Sequence, residues 1–228
     1  MSESTRENQF IVLLGGEVTD LSAVGPLSPE ATVIAADSGL HLAAPLGLVV
    51  AAVVGDMDSV NPTALAAVEA LGTRVIRMSP NKDASDAELA LHHALSLGAT
   101  RITIIAGRSN RLDHELANFA VLFLPALRNR RVEIRVAGSR AFALDATERP
   151  VNTNIECAVG DIIGLLPFGG DANGVTTSGL QWSLTDEDLK VNASRGISNR
   201  ATRNDVVVSL QRGRLLVTLT KVAAHVSE

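Results

Sequence analysis

The chain has 228 residues, 46% of them hydrophobic and 20% charged, enough to bury a core as one large domain or two modest ones. Its net charge of −5 argues against a nucleic-acid-binding surface, which carries a basic face. A nucleotide ligand stays open, because a metal ion and a few local Arg or Lys can offset the field in one cleft. Cys157 is the only cysteine, so no intramolecular disulfide forms, and the chain suits a reducing compartment.

The polar stretch Met1 to Gln9 lacks the apolar core of a signal peptide. The most apolar stretch, Leu42 to Gly55, is broken by Pro45 and two glycines and is too short to span a bilayer, so no membrane partner is expected. A cytoplasmic location is the default expectation.

In chain order, Phe10–Leu14, Thr32–Ala36, Val49–Val54, Arg74–Met78 and Arg101–Ala106 are short apolar runs rich in Val and Ile, the texture of buried parallel strands. Between them the spacing predicts helices, most clearly Asp86 to Leu97 and His114 to Leu124. The first opens on Ser85-x-x-Glu88, a capping-box pattern, and stops at Gly98. The alternation predicts an α/β fold, an open, mostly parallel sheet flanked by helices. After about Leu144 helical periodicity gives way to short strands and turns, including Ile162–Leu166, Val206–Leu210 and Leu215–Leu219. The last two flank Gln211-Arg212-Gly213-Arg214, which reads as a hairpin turn. The expected division is an α/β domain over 10–144 and a smaller all-β sandwich over 145–228.

Charged residues concentrate at predicted strand ends, where open α/β sheets bind ligands. Gly55-Asp56-Met57-Asp58-Ser59 follows the third strand, and its two carboxylates can address one Mg²⁺; the same residues also read as a solvated turn. Asn81-Lys82-Asp83-Ala84-Ser85-Asp86 runs into the capped helix. Helix capping accounts for Ser85 and Glu88 but leaves Lys82 and Asp83 unexplained. Gly107-Arg108-Ser109-Asn110-Arg111-Leu112-Asp113-His114 puts two arginines beside a helix N-terminus, an anion-binding combination. Asp37-Ser38-Gly39 is a fourth and weaker patch, equally a helix cap. Neither a Gly-Lys-Ser/Thr phosphate loop nor a full Gly-x-Gly-x-x-Gly fingerprint occurs. Independent turns would not place these patches on successive ends of one sheet. Jointly they predict metal-assisted phosphoryl transfer.

In this order the motifs resemble the thiamin pyrophosphokinase family, with its Gly-Asp-Phe-Asp-Ser, Lys-Asp-x-Thr-Asp and Gly-Gly-Arg-x-Asp-His patterns. Here they stand as Gly55 to Ser59, Lys82 to Asp86 and Arg111 to His114, with Leu116-Ala117-Asn118 one turn on. Met57 replaces Phe, Ser85 replaces Thr, and Ser109-Asn110 replace the paired glycines. Ser178-Gly179-Leu180-Gln181-Trp182 and Gly196-Ile197-Ser198-Asn199 are similar to segments that line the family's thiamin pocket, usually completed across a homodimer. The resemblance implies transfer of the pyrophosphoryl group of ATP to the thiamin hydroxyl, giving thiamin diphosphate and AMP. It implies Mg²⁺ on Asp56, Asp58 and Asp86. Lys82 and Arg111 would neutralise charge, and Asp113 would serve as a further metal contact or as proton acceptor. Asp37, Ser59, Asp83, Arg108, His114 and Asn118 would surround the nucleotide, and Trp182, Ser198 and Asn199 the thiamin. A pyrophosphokinase for another hydroxymethyl acceptor such as a pterin, and a non-catalytic nucleotide or thiamin sensor, are the alternatives.

Overall fold

The computed structural model describes residues 7–18, 20–81 and 83–222. The chain divides between Ala137 and Gly138 into two units, earlier than the division expected at Leu144.

The first unit is built on six parallel strands: β1 (Gln9–Leu14), β2 (Thr32–Ala36), β3 (Val50–Gly55), β4 (Arg74–Arg77), β5 (Arg101–Ala106) and β6 (Arg131–Val136). Their order is β6-β5-β1-β2-β3-β4. Val12, Ile34 and Val53 are fully buried along with their chain neighbours, which is why these strands read as continuous apolar runs rather than alternating ones. Ile11, Leu13, Val33, Ala35 and Ile105 share one core cluster with Leu40, Leu42 and Leu65. The residues between them turn to the opposite face by the two-residue period of a strand. The sequence reading did not include β6. Its Arg131, Glu133 and Arg135 interrupt the apolar pattern, yet Arg135 and Glu133 form a largely buried pair at 2.6 Å. Nη1 of Arg135 also donates to the carbonyls of Val24 and Pro26 at 2.9 and 2.8 Å, clasping the loop ahead of β2 to the sheet.

Three α-helices connect these strands. α1 (Pro62–Ala70) starts with Pro at its first turn and with Asn61 as cap, whose Oδ1 accepts from the amides of Thr63 and Ala64. α2 (Asp86–Ser96) begins where the capping pattern places it, with the Ser85 hydroxyl accepting from the Glu88 amide at 3.2 Å. It buries Ala87, Ala90, Leu91 and Ala94, an i, i+3, i+4, i+7 stripe that packs on β1, β2 and β3. α3 (Leu112–Ala120) starts before His114 and ends before Leu124; Val121–Phe123 is a 3₁₀ turn instead. Pro125 forces this, because the residue ahead of a proline avoids the helical region, and Leu124 sits at ψ 129°. From β1 the chain builds outward to β4, and α2 then carries it back to β5 on the other side of β1. That reversal is the topological switch point of the sheet.

The second unit is an antiparallel sandwich. One sheet has the order β12-β9-β14-β7 and the other β11-β10-β13-β8. Their ranges are β7 (Ser139–Ala146), β8 (Val151–Glu156), β9 (Ile162–Pro167), β10 (Ala172–Ser178), β11 (Glu187–Leu189), β12 (Asn199–Arg200), β13 (Asp205–Leu210) and β14 (Gly213–Thr220). The expected hairpin at Gln211–Arg214 is not formed. β13 pairs with β8 and β10, whereas β14 pairs with β7 and β9. Val206, Val208 and Leu210 meet Leu215, Val217 and Leu219 in one core, each strand facing it from its own sheet. A hairpin would have put all six on one face. The turn's hydrogen bonds go to Asn173 of β10 instead, through the amides of Gln211 and Arg212. Gly213, at φ 99°, makes the crossing possible.

Candidate functional site

The C-terminal ends of β2 and β3 deliver three carboxylates to one place. Asp37 is the residue immediately after β2, and Asp56 and Asp58 follow β3. One oxygen from each lies within 4.8 Å of the other two. Two side chains adopt a left-handed backbone to achieve this, Asp37 at φ 44° and Met57 at φ 66°. Such strain in non-glycine residues persists where the surrounding structure enforces it, often at functional sites. Met57, between the two aspartates, turns the loop so that both sides of it face Asp37. Asp86, the first residue of α2, closes the group. A Cβ on Gly55 would stand 3.0 Å from the Asp86 carboxylate and 3.0 Å from the Asp37 Cβ, so any side chain there would crowd both carboxylates.

The electrostatics single out Asp37. Burial pushes its carboxyl up from the ordinary value, and the charges of Asp86, Asp58 and Asp56 push the same way, against a hydrogen bond from the Ser38 amide. Among the described residues its Oδ1 is buried without a hydrogen-bond partner. An orphaned anionic oxygen facing further carboxylates is costly for the protein alone. It fits a hard divalent cation, which takes oxygen ligands and is commonly shared with phosphate. The rest of the loop keeps its carboxylates in place: the Asp58 amide donates to Asp56 Oδ1 at 3.3 Å, and the Ser59 hydroxyl donates to Asp58 Oδ1 at 2.8 Å.

Across the switch point, the loops after β1 and β5 are joined backbone to backbone. The Glu17 amide donates to the Arg108 carbonyl and the Arg108 amide to the Glu17 carbonyl, both at 2.9 Å. Gly16 and Gly107 touch here, for a Cβ on Gly107 would lie 2.1 Å from the Gly16 carbonyl carbon. The Ser109 amide donates to Glu115 Oε1 at 2.8 Å, and the Ser109 hydroxyl accepts from the Arg111 amide at 3.0 Å. Ser109-Asn110, standing where the family pattern has glycines, is thus braced by Glu115 of α3. Arg111 pairs with Asp113 at 2.7 Å, both exposed. The guanidinium hydrogen bond holds the Asp113 carboxyl below the usual carboxylate range and raises Arg111 in turn. Arg108 and His114 are exposed and Asn118 half-buried, so this loop offers cations to solvent. Asp83 is exposed between β4 and α2, and Lys82 lies outside the described residues.

In the second unit Trp182 presents its ring to solvent at 56% exposure, while Asn199 is buried. Nδ2 of Asn199 donates to the Trp182 carbonyl at 2.7 Å, and its Oδ1 accepts from the amides of Trp182 and Arg200 at 3.1 and 2.9 Å. The amide of Asn199 is therefore spent on the backbone that holds Trp182. Ser198, at φ 59°, is exposed beside it.

Sequence reasoning grouped Asp37 with the nucleotide contacts, but the structure sets it against Asp56 and Asp58. The available signal was its position directly after an apolar strand, next to the strand that ends in Asp56. Glu115, His41 and Asn61 were not singled out at all, since their roles depend on partners distant in sequence.

An open parallel α/β unit with clustered carboxylates at its strand ends, followed by an antiparallel sandwich, defines the class. Solved thiamine pyrophosphokinases share this fold. The one from Bacillus subtilis superimposes with a TM-score of 0.81 at 20% identity, covering 94% of this chain and 100% of that one. The yeast enzyme gives 0.70 at 15% identity, over 95% and 87%. The thiamin pyrophosphokinase catalytic domain matches residues 27–136, and the vitamin B1 binding domain of the same family matches 151–215. The chain belongs to the thiamin pyrophosphokinase family. Thiamine pyrophosphokinase 3 of Oryza sativa subsp. japonica is 28% identical over 183 residues, 75% of this chain and 66% of that protein. Thiamine pyrophosphokinase 1 of Arabidopsis thaliana is 28% identical over 163 residues, 68% and 59% respectively. The match thus spans slightly under two thirds of these plant proteins.

Proposed function

We propose that this protein transfers the pyrophosphoryl group of ATP to the hydroxyl of thiamin, releasing AMP. The observation that carries the reading is the carboxylate cluster with its orphaned Asp37 oxygen, in a chain of this family. Asp37, Asp56 and Asp58 would hold Mg²⁺, with Asp86 beside them. When bound, the ion supplies positive charge that binds the phosphates and offsets charge on the transferring group.

The protein's own part is positioning and charge. Arg108, Arg111 and Lys82 draw the phosphates toward the switch point, with Ser59, Asp83, His114 and Asn118 around the nucleotide. Trp182 offers a flat face to the cationic thiamin ring, flanked by Ser198 and kept in place by Asn199. The thiamin oxygen forms a bond to the β-phosphorus, the bond from that phosphorus to the oxygen bridging the α-phosphate breaks, and AMP leaves with the electron pair. The hydroxyl proton passes to solvent or to a carboxylate. Asp113 is a weak base while Arg111 holds it, which favours a role in orienting substrate or metal; a loose transition state asks little of a base. A homodimer is part of the same reading. Leu112 and Leu116 on α3, 68% and 61% exposed, suit a surface covered by a second copy. No helix of the described residues is long and apolar enough to cross a membrane, and a cytoplasmic location completes the proposal.

Asp58→Asn tests the site. Loss of one metal carboxylate should cut kcat by roughly 10²-fold or more while circular dichroism stays unchanged, because an exposed loop side chain adds little packing. Near-full activity in that variant would remove the loop from the chemistry.

A further inference from the structure

His41 lies in the 3₁₀ turn Asp37–Leu42, the turn that Asp37 begins. Its Nε2 accepts a hydrogen bond from the backbone amide of Asn61 at 3.0 Å. Asn61 ends the loop that carries Asp56 and Asp58, and its own side chain caps α1. One imidazole therefore ties the Asp37 turn to the Asp56–Asp58 loop. The amide needs a lone pair to donate to, and Nε2 of the ring supplies it.

The tie sits where it matters mechanically. The β2–β3 ladder ends at Ala36 and Val54, so it does not restrain the residues beyond. Within the loop, the bonds of Asp58 to Asp56 and of Ser59 to Asp58 shape it without attaching it to Asp37. The bond from the Met78 amide to the Gly55 carbonyl holds the start of the loop to the far side, beyond β4. Burial of Val60 fixes the loop's end in the core. Meanwhile the carboxylates, with oxygens within 4.8 Å, repel one another and drive the two segments apart.

We propose that His41 is a positioning residue for the carboxylate cluster, holding Asp56 and Asp58 against Asp37 at the spacing a divalent cation needs. The inference rests on reading that cluster as a metal site. It deepens that reading by naming a group that touches neither metal nor substrate.

Mn²⁺ is the probe, titrated by electron paramagnetic resonance into protein without nucleotide, with a metal-free melting curve for each variant. His41→Ala should weaken Mn²⁺ binding about five- to tenfold, the worth of one hydrogen bond. His41→Gln, whose side-chain oxygen can accept from Asn61, should return to within about twofold of the wild type. If the Ala variant does not fold, His41→Leu against His41→Gln makes the same comparison at similar volume, and Leu should bind more weakly. Unchanged Mn²⁺ affinity in Ala or Leu overturns the proposal while leaving the metal site standing. So does a Gln variant that melts like the wild type yet binds as weakly as Leu. A wild type that binds no Mn²⁺ defeats the metal reading itself, and this inference falls with it.

Discussion

Replacing Asp37 by Asn should stabilise the metal-free protein and at the same time remove its response to Mg²⁺. Asp37 is 8% exposed, its Oδ1 has no hydrogen-bond partner among the described residues, and three other carboxylates act on it. Its folded-state pKa is raised, first by burial and then by Asp86, Asp58 and Asp56. A carboxyl shifted upward contributes stability below its unfolded value, about 3.9, and that contribution is lost as pH rises through the folded value. At neutral pH the ionised group is therefore a net cost. An amide of the same shape removes the charge and can donate to a neighbouring carboxylate. Asn also accepts the left-handed backbone, φ 44°, without added strain. The relief is about 1–3 kcal/mol, the usual cost of a buried unsatisfied group. For a chain of this size that is a rise of roughly 2–4 °C per kcal/mol. Scanning calorimetry of both proteins with and without Mg²⁺ reads both effects. The wild type should gain about 1.4 kcal/mol at ten times its Kd for the ion, and the variant much less. The variant's advantage in the absence of metal should shrink as pH falls toward the ordinary carboxylate range. A variant that melts below the wild type at neutral pH without metal, or that keeps the full Mg²⁺ shift, would refute the reasoning.

Three further outcomes are expected. Trp182→Ala should raise KM for thiamin with a smaller change in kcat, and an unchanged KM would take the ring out of the acceptor site. Asn199→Ala leaves the amide and carbonyl of Trp182 without their partner and should cost about 1–3 kcal/mol by thermal or urea unfolding, with thiamin KM rising alongside. An unshifted midpoint would mean that this buried amide does not hold the segment. Gly107→Ala would place a methyl 2.1 Å from the Gly16 carbonyl carbon, forcing the loops after β1 and β5 apart. It should destabilise by about 1–3 kcal/mol and raise KM for ATP, and a wild-type profile would show that the close approach is dispensable.

The parallel strands were legible because burial on both faces leaves unbroken apolar runs, and α2 because Ser85, Glu88 and Gly98 mark its ends. β6 escaped notice since the charges on Arg131, Glu133 and Arg135 are neutralised by contacts that only the fold provides. The Gln211–Arg214 turn was misread for a related reason. Local turn chemistry is the same whether the next strand returns beside the first or crosses to a facing sheet, and the burial of Leu215, Val217 and Leu219 decides it. At the site, Asp56 and Asp58 were visible as a pair at a strand end, but the place of Asp37 beside them was not. Asp37 read as a nucleotide contact or a cap rather than as a metal carboxylate, because its orphaned oxygen, its raised pKa and its nearness to Asp56 and Asp58 exist only in three dimensions. Asn199 is expected as a thiamin contact from the sequence, but its bonds to the backbone of Trp182 and Arg200 appear only in the fold.

The central claim is that these residues catalyse pyrophosphoryl transfer to thiamin. The direct test is AMP release by the purified protein from Mg-ATP, with and without thiamin, followed alongside thiamin diphosphate. The account predicts AMP that depends on thiamin and matches thiamin diphosphate one for one. AMP formed only with a pterin-type hydroxymethyl acceptor, or no AMP at all despite tight thiamin or nucleotide binding, would contradict it.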